Sequence, residues 1–401
     1  MHILWLKTEL LHPVDKGGRI RTYQTLRALA RSHQVTYLAL DDGGAAPNAR
    51  ELAKEYAHDV ITVPFSPPER GTLAFYADLA KNAVSRLPYA VGKYRSPRFE
   101  DEIRRLAPKV DVVLCDFLAP AVNVPKDLGK TPAVLFQHNV EAEIWRRHAE
   151  VAKHPVKRAY MQSQFRRMLR FEREACRRFD HVIAVSEQDA ELMRRQYQVT
   201  RVTAQPTGVD IDFFRPQPET TRNTHELVFL GSMDWLPNED GVAWFVEEVF
   251  PLVRKKEPKA KLTIVGRKPS PRVKNLAVQH AGVEVTGTVD DVRPYLARAA
   301  ALVVPLRIGG GTRLKIYEAM AMGIPVVSTT VGAEGLPLEH EEHFLRADEP
   351  ATIASACHQV FADPSAAGAM GERAAEYVRS RFGWDGVAAQ FAEVCRQAAF
   401  A

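Results

Sequence analysis

The chain has 401 residues, long for one hydrophobic core, and is expected to fold as two domains. Its 46% hydrophobic and 26% charged residues are ordinary for a soluble globular protein, and no run approaches the ~18 apolar residues that span a bilayer. A formal net charge of +5 is mildly basic; it permits an anionic substrate or an anionic membrane surface, and without aromatic stacking motifs it does not indicate nucleic acid.

The first residues, MHILWLKTELLHP, lack a basic leader and read as a buried first strand, not a signal peptide. Strand-like apolar runs follow at 35–40, 60–65, 110–115, 133–137, 181–185 and 202–205, with helical patterns at 19–31, 49–58, 97–106 and 187–197 between them. A second series of strands is expected at 227–231, 261–265, 283–286, 301–306 and 325–328, and three helical patterns, near 352–361, 366–379 and 384–400, end the chain. Alternating strands and helices predict parallel α/β sheets. Residues 206–223, PTGVDIDFFRPQPETTRN, have the composition of an interdomain linker. The reading is therefore two doubly wound, Rossmann-like domains, 1–205 and 225–383, joined by 206–224. Ligands of such sheets bind beyond the carboxyl ends of the strands, which places a ligand in the cleft where two sheets face one another. Cys115, Cys176, Cys357 and Cys395 show no CxxC spacing, so neither a zinc site nor a disulfide framework is indicated. Reduced thiols in the cytoplasm are the simplest reading.

Three loops carry chemistry. Gly17 and Gly18 stand between the first strand and first helix; either they let backbone N–H groups approach a ligand, or they form a simple turn. Their spacing fits neither GxGxxG nor a P-loop. His138 follows the strand at 133–137, where an imidazole can donate to a substrate or cap the next helix, and Asp116 and Glu141 lie near strand ends as candidate acceptor-binding carboxylates. The segment RIGGGTRLKIYEAMAMGIPVV places Gly309, Gly310, Gly311 and Thr312 between a strand and a helix, with Arg313 and Lys315 in the expected first turn and Glu318 one turn further. Cations at that end oppose the helix dipole, so a phosphate is expected between them. A carboxylate just beyond suits sugar hydroxyls. Asp210-Ile-Asp212 resembles a metal-binding DxD, but its position in a linker favours a cap or turn, and no metal site is read.

Two further stretches bear on partners. Residues 153–178 hold nine Lys or Arg against two Glu, with Arg166, Arg170, Arg173 and Arg177 forming a stripe; this is either a solvated helix face or a surface for anionic lipid. Residues 70–94 mix Leu73, Phe75, Tyr76 and Val84 with Arg70, Lys81, Arg86 and Lys93, as an acceptor-side insertion would.

These motifs resemble a GT-B glycosyltransferase of the large retaining group called family 4. The resemblance rests on KGGR (16–19), VSE (185–187), PTGVD (206–210), IVG (264–266) and YEAMAMGIPVV (317–327), in the order the family has them. It implies transfer of a sugar from a nucleoside-diphosphate-sugar, UDP- or GDP-linked, to a glycan or polyprenyl-linked acceptor. It places the enzyme in the cytoplasm or on the inner face of the cell membrane. The donor would lie mainly on the second domain, with Glu318 on its ribose, Gly17 and Gly18 near its diphosphate, and His138 on the transferred sugar. Further donor contacts would come from Gly231, Gly266, Arg267, Thr288 and Val289, the last four lining the base. The final helix, 384–401, would return to the first domain. The GGGTRLK variety of the motif is similar to a subgroup of exopolysaccharide or surface-glycan enzymes.

Two departures stand out. The family commonly has a sugar-binding glutamate where this chain has Gly310, and an Arg and a Lys in the loop that here reads GSMDWLPN (231–238). Arg313 and Lys315 are expected to neutralise the leaving diphosphate instead, with no metal or cofactor required. No carboxylate stands out as a nucleophile, so front-face attack, the leaving phosphate taking the acceptor proton, is the expected mechanism. A sugar-nucleotide epimerase or hydrolase on the same fold, or a catalytically silent nucleotide-binding partner subunit, are the competing readings.

Overall fold

The computed structural model describes residues 1–14, 17–69, 71–151, 154–308 and 313–400. The chain divides into two compact units, Met1–Thr207 with Asp385–Ala401, and Gly208–Trp384.

The first unit is built on a seven-stranded sheet: β1 (His2–Lys7), β2 (Gln34–Asp41), β3 (Asp59–Pro64), β4 (Val112–Asp116), β5 (Ala133–Phe136), β6 (His181–Ala184) and β7 (Val202–Ala204). Every pairing is parallel and the order is β3-β2-β1-β4-β5-β6-β7. The central strands are apolar on both faces because helices cover both. Alternation then sorts their side chains: Leu4, Leu6, Val113 and Cys115 enter one core, while Ile3, Trp5, Val112 and Leu114 enter the other. The chain's last helix, Trp384–Ala399, packs on the second of these faces. Its Phe391 ring stacks on Trp5 at 5.7 Å and meets Phe136 edge-on at 5.0 Å.

The second unit has six parallel strands, β8 (Asn223–Leu230), β9 (Lys261–Val265), β10 (Val283–Gly287), β11 (Ala299–Val304), β12 (Val326–Ser328) and β13 (Leu345–Arg346), in the order β10-β9-β8-β11-β12-β13. Leu227 and Phe229 fill one core and Val228 and Leu230 the other. The strand expected at 301–306 ends at Val304, since Pro305 has no N–H to continue the ladder. The sequence pattern missed β13, whose two residues are too short to show a period. Of the stretch read as a linker, Gly208 and Val209 belong to the second unit. Val209 N–H donates to the Phe382 carbonyl at 2.7 Å, and a Cβ on Gly208 would lie 2.5 Å from the Trp384 indole. The Asp210 carboxylate accepts from the Phe213 N–H at 3.0 Å, a turn and not a metal ligand set.

In each sheet the strand order reverses once, between β1 and β4 in the first and between β8 and β11 in the second. At such a point adjacent connections leave on opposite faces and open a crevice at the strands' carboxyl ends.

Candidate active site

At the crevice of the first unit, Lys7 ends β1, Asp116 ends β4 and His138 lies two residues past β5. Asp116 is fully buried and its two oxygens accept from four groups: Trp5 Nε1 at 3.0 Å, Lys7 Nζ at 2.7 Å, Thr22 Oγ1 at 2.7 Å and His138 Nε2 at 2.7 Å. Burial alone pushes the Asp116 carboxyl up, but the Lys7 ammonium and the His138 ring outweigh it and hold the group below the usual carboxylate range. An ionised carboxylate only accepts, so His138 carries its proton on Nε2 and turns the Nδ1 lone pair outward from that bond. Burial lowers the His138 pKa to about 3 against the pull of Asp116, so the ring is neutral.

His138 was expected, at a strand's carboxyl end, to donate to substrate or to cap the next helix. The structure changes that picture: the ring is 2% exposed, its only N–H is committed to Asp116, and Nδ1 is buried without a hydrogen-bond partner among the described residues. The cover is Phe117, whose ring stacks on His138 with centroids 3.8 Å apart and also lies 4.3 Å from the Lys7 ammonium. Phe117 has φ 74°, an unusual value for an aromatic residue and a conformation found at functional turns. A Cβ on Gly18 would stand 3.2 Å from that ring, a tight contact that a larger residue could make only if the ring moved by a few tenths of an ångström. Asp116, expected as an acceptor ligand, is spent on internal donors. Lys7 and Phe117 escaped the sequence reading; the one signal was a lone lysine closing an apolar strand.

A second buried carboxylate holds the segment that carries His138. Glu172, on the helix Pro155–Arg178, accepts from Gln137 Nε2 (2.9 Å), the Glu141 N–H (2.8 Å), the Ala142 N–H (2.9 Å) and the Tyr197 hydroxyl (2.9 Å). It therefore caps the helix Glu141–Val151 from outside. Burial pushes the Glu172 carboxyl up to about 8 in spite of these donors. Glu141 itself is raised by burial, with Asn139 bonding its side chain. Of the expected basic stripe, Arg166, Arg170 and Arg177 are exposed and Arg173 is half-buried; Arg177 also donates to the Tyr197 carbonyl and to Gln198, both at 2.6 Å.

In the second unit, Gly309, Gly310, Gly311 and Thr312 lie outside the described residues, as Lys16 and Arg70 do elsewhere. The helix after them runs Leu314–Ala321, so Arg313 stands at its cap and not in its first turn. Arg313 is buried, with Nη2 donating to the Val331 carbonyl at 3.1 Å. Lys315 reaches across the β8/β11 crevice: its ammonium lies 3.0 Å from Asn238 Oδ1 and 4.6 Å from the Phe229 ring centroid. Burial and the neighbouring Arg313 lower the Lys315 pKa to about 7, against the pull of Glu318. Burial likewise raises Glu318 to about 7, with Lys315 opposing. These two half-buried groups sit one turn apart on the same helix face.

The loop after β8 has no cation of its own; neighbouring elements bring them. Arg267, expected on the base, points its Nε at Ser232 Oγ (2.7 Å), and Lys268 Nζ lies 3.8 Å from Asp234. Gly231 and Gly266 are packing requirements. A Cβ on Gly266 would overlap the Gly231 carbonyl, and one on Gly231 would stand 2.7 Å from the Asn238 amide. Thr288 is exposed and Val289 packs on the core of the unit. The described site residues thus form two groups: His138 and Gly18 around Asp116 in the first unit, and Gly231, Gly266, Arg267, Arg313, Lys315 and Glu318 around β8, β9 and β11 in the second.

Both units match known families. Residues 16–213 match the model of Glycosyltransferase Family 4, and residues 224–363 that of Glycosyl transferases group 1. The chain belongs to the group 1, family 4-like glycosyltransferases. Among relatives, a GDP-mannose-dependent α-(1-6)-phosphatidylinositol monomannoside mannosyltransferase of Mycobacterium tuberculosis is 28% identical over 211 residues, 48% of this chain. The match spans about half (54%) of that enzyme's length. An uncharacterised 44.6 kDa protein in the cps region of Klebsiella pneumoniae is 22% identical over 88% of this chain and 89% of its own. The sucrose-phosphate synthase of Thermosynechococcus elongatus superposes with a TM-score of 0.73 at 18% identity, covering 99% of both chains. The Anabaena HepE protein in complex with UDP gives 0.69 at 13% identity, over 99% of this chain and 100% of that one. At those identities the likeness shows the fold, which is GT-B. Among the described residues, no helix is long and apolar enough to cross a membrane.

Proposed function

We propose that this protein is a retaining glycosyltransferase that moves a sugar from a UDP- or GDP-sugar to a glycan or polyprenyl-linked acceptor in surface-glycan assembly. The observation that carries the reading is the grouping of Lys315 with Asn238 and Glu318 at the β8/β11 crevice of a chain in this family. Cleavage of the anomeric C–O bond puts negative charge on the leaving diphosphate, and a half-buried ammonium beside it is worth more than one in water. Glu318, one turn on, suits the ribose hydroxyls. With no carboxylate of the second unit offered as a nucleophile, front-face attack remains the proposed course, and retention follows from it. The mannosyltransferase relative uses GDP-mannose and a lipid acceptor by its name, and HepE carries UDP, so either base is compatible.

The membrane side of the reading rests on the first unit. The helix Leu73–Ala83 leaves Leu73 and Tyr76 exposed, with Val84 just past its end, and the helix Pro155–Arg178 leaves Val156 exposed together with Arg166 and Arg170. Arg167 ties the two helices, donating to the Asn82 and Ala83 carbonyls. Exposed apolar and basic groups on two helices in contact suit an anionic membrane that presents a lipid-linked acceptor.

Incubation with a panel of UDP-, GDP- and ADP-sugars, with and without membrane-derived acceptors, tests the reading. Nucleoside diphosphate released only with acceptor, and a product that keeps the donor's anomeric configuration by NMR, is the expected result. Release without acceptor would make the protein a hydrolase, donor interconversion an epimerase, and binding without turnover a silent subunit.

A further inference from the structure

The loop 231–238 lacks the cations expected there, yet one of its residues is built to hold a cation from elsewhere. Asn238 is 4% exposed, on the helix Leu236–Trp244, and both ends of its side-chain amide are used. Nδ2 donates to the Ser232 carbonyl at 2.9 Å, which ties the side chain back to its own loop. Oδ1 accepts from Lys315 Nζ at 3.0 Å, across 77 residues of sequence. Gly231 makes room for this, since any Cβ there would strike the same amide. An ammonium has three protons and Asn238 takes one, which leaves donor capacity for a ligand; the Phe229 ring centroid lies 4.6 Å from the nitrogen.

We infer that Asn238 is a positioning residue: it fixes the Lys315 ammonium at the β8/β11 crevice, and the pair supplies at the donor diphosphate the positive charge that the loop itself lacks. A lysine carries a flexible four-carbon stem, and the entropy of holding it is met before the ligand arrives when a buried acceptor already orients the head group. Asparagine suits this role better than a carboxylate. A carboxylate would cancel the charge that the diphosphate is to meet, whereas a neutral carbonyl orients the ammonium and leaves its charge to the ligand. The inference rests on the donor reading above, with the diphosphate as the group recognised.

Isothermal titration of the full chain with UDP and uridine, and with GDP and guanosine, tests it, using whichever series the unmodified protein binds. Asn238→Ala is expected to weaken the diphosphate about tenfold and the nucleoside less than about twofold. Lys315→Ala should do the same, and the double variant should bind no more weakly than Lys315→Ala alone, because both changes remove one device. Asn238→Asp, which keeps the volume and an oxygen on Lys315 should the alanine variant not fold, is expected to retain the charge in place but weaken the diphosphate about threefold. Equal losses for diphosphate and nucleoside, or losses that multiply in the double variant, would overturn the pairing. An unmodified protein that binds neither diphosphate would overturn the donor reading itself, and that result appears before any substitution is made.

Discussion

Replacement of Lys7 by methionine isolates the electrostatics of the first unit. The Lys7–Asp116 pair is 2.7 Å apart with side chains 3% and 0% exposed. At an effective dielectric constant of about 20 their attraction is about 6 kcal/mol, set against a desolvation cost of several kcal/mol for each ion. Methionine preserves most of the volume but strands a buried carboxylate with only Trp5, Thr22 and His138 as donors. The expected loss of stability at pH 8 is about 3–5 kcal/mol, nearer the lower figure because those three donors remain. Its pH dependence has a definite sign. In the unmodified protein the lowered pKa of Asp116 contributes stability above the carboxylate's unfolded value, lost only as pH falls through the still lower folded value. Without Lys7, burial pushes the folded value above the unfolded one, so the carboxylate becomes destabilising as pH rises through that range. The deficit of the variant should therefore shrink as pH is lowered from 8 to 5. Urea dependence of hydrogen exchange in β1 and β4 peptides reports this unit by itself. Adding Asp116→Asn to Lys7→Met should recover at least half of the loss. A deficit under about 1 kcal/mol at pH 8, or one independent of pH, would refute the argument.

Other consequences are equally open to measurement. Glu172→Ala leaves four donors unmet and should cost the first unit about 3 kcal/mol or more, whereas Arg166→Ala, on an exposed face, should change stability by less than about 0.5 kcal/mol; both are read by urea unfolding. Gly266→Ala drives a methyl into the Gly231 carbonyl and should destabilise the second unit by about 3 kcal/mol, seen as earlier exchange of β8 and β9 amides. Because Lys315 loses its proton near pH 7 while Glu318 gains charge over the same range, nucleoside diphosphate affinity should fall about tenfold from pH 7 to pH 9. Lys315→Arg, charged throughout, should flatten that fall in titration calorimetry. Vesicles containing anionic lipid should carry the protein in flotation, and Leu73→Ser with Val156→Ser should release it, while neutral vesicles should not bind it.

Much of the fold was legible in the sequence because buried parallel strands announce themselves as short apolar runs between amphipathic helices. Twelve expected strands occur as β1 to β12, and their sorting into two series follows from a break in pattern at 206–223. The site was legible only in part. Glycines and charges near strand ends marked Gly18, His138, Lys315 and Glu318, since those ends are where such sheets open. What each side chain does there depends on partners far away in sequence. His138 meets Asp116 and Phe117 only once β4 and β5 pair, and the ring read as a donor to substrate or a helix cap is found covered, with its N–H on Asp116. Arg267, expected to contact the base or to be a surface arginine, meets Ser232 only once the ends of β8 and β9 lie side by side.

By itself the sequence determined the class of structure and the family, because periodicity and motif order are local properties of the chain. Only the tertiary structure decided the protonation and reach of the site's charges. Asp116 stays ionised in a buried position because β1, the first helix and the segment after β5 bring it four donors; Lys315 is oriented because a residue 77 positions earlier accepts a hydrogen bond from it. A charge takes its pKa and its direction from what surrounds it in space, and that neighbourhood exists only after the sheets have formed.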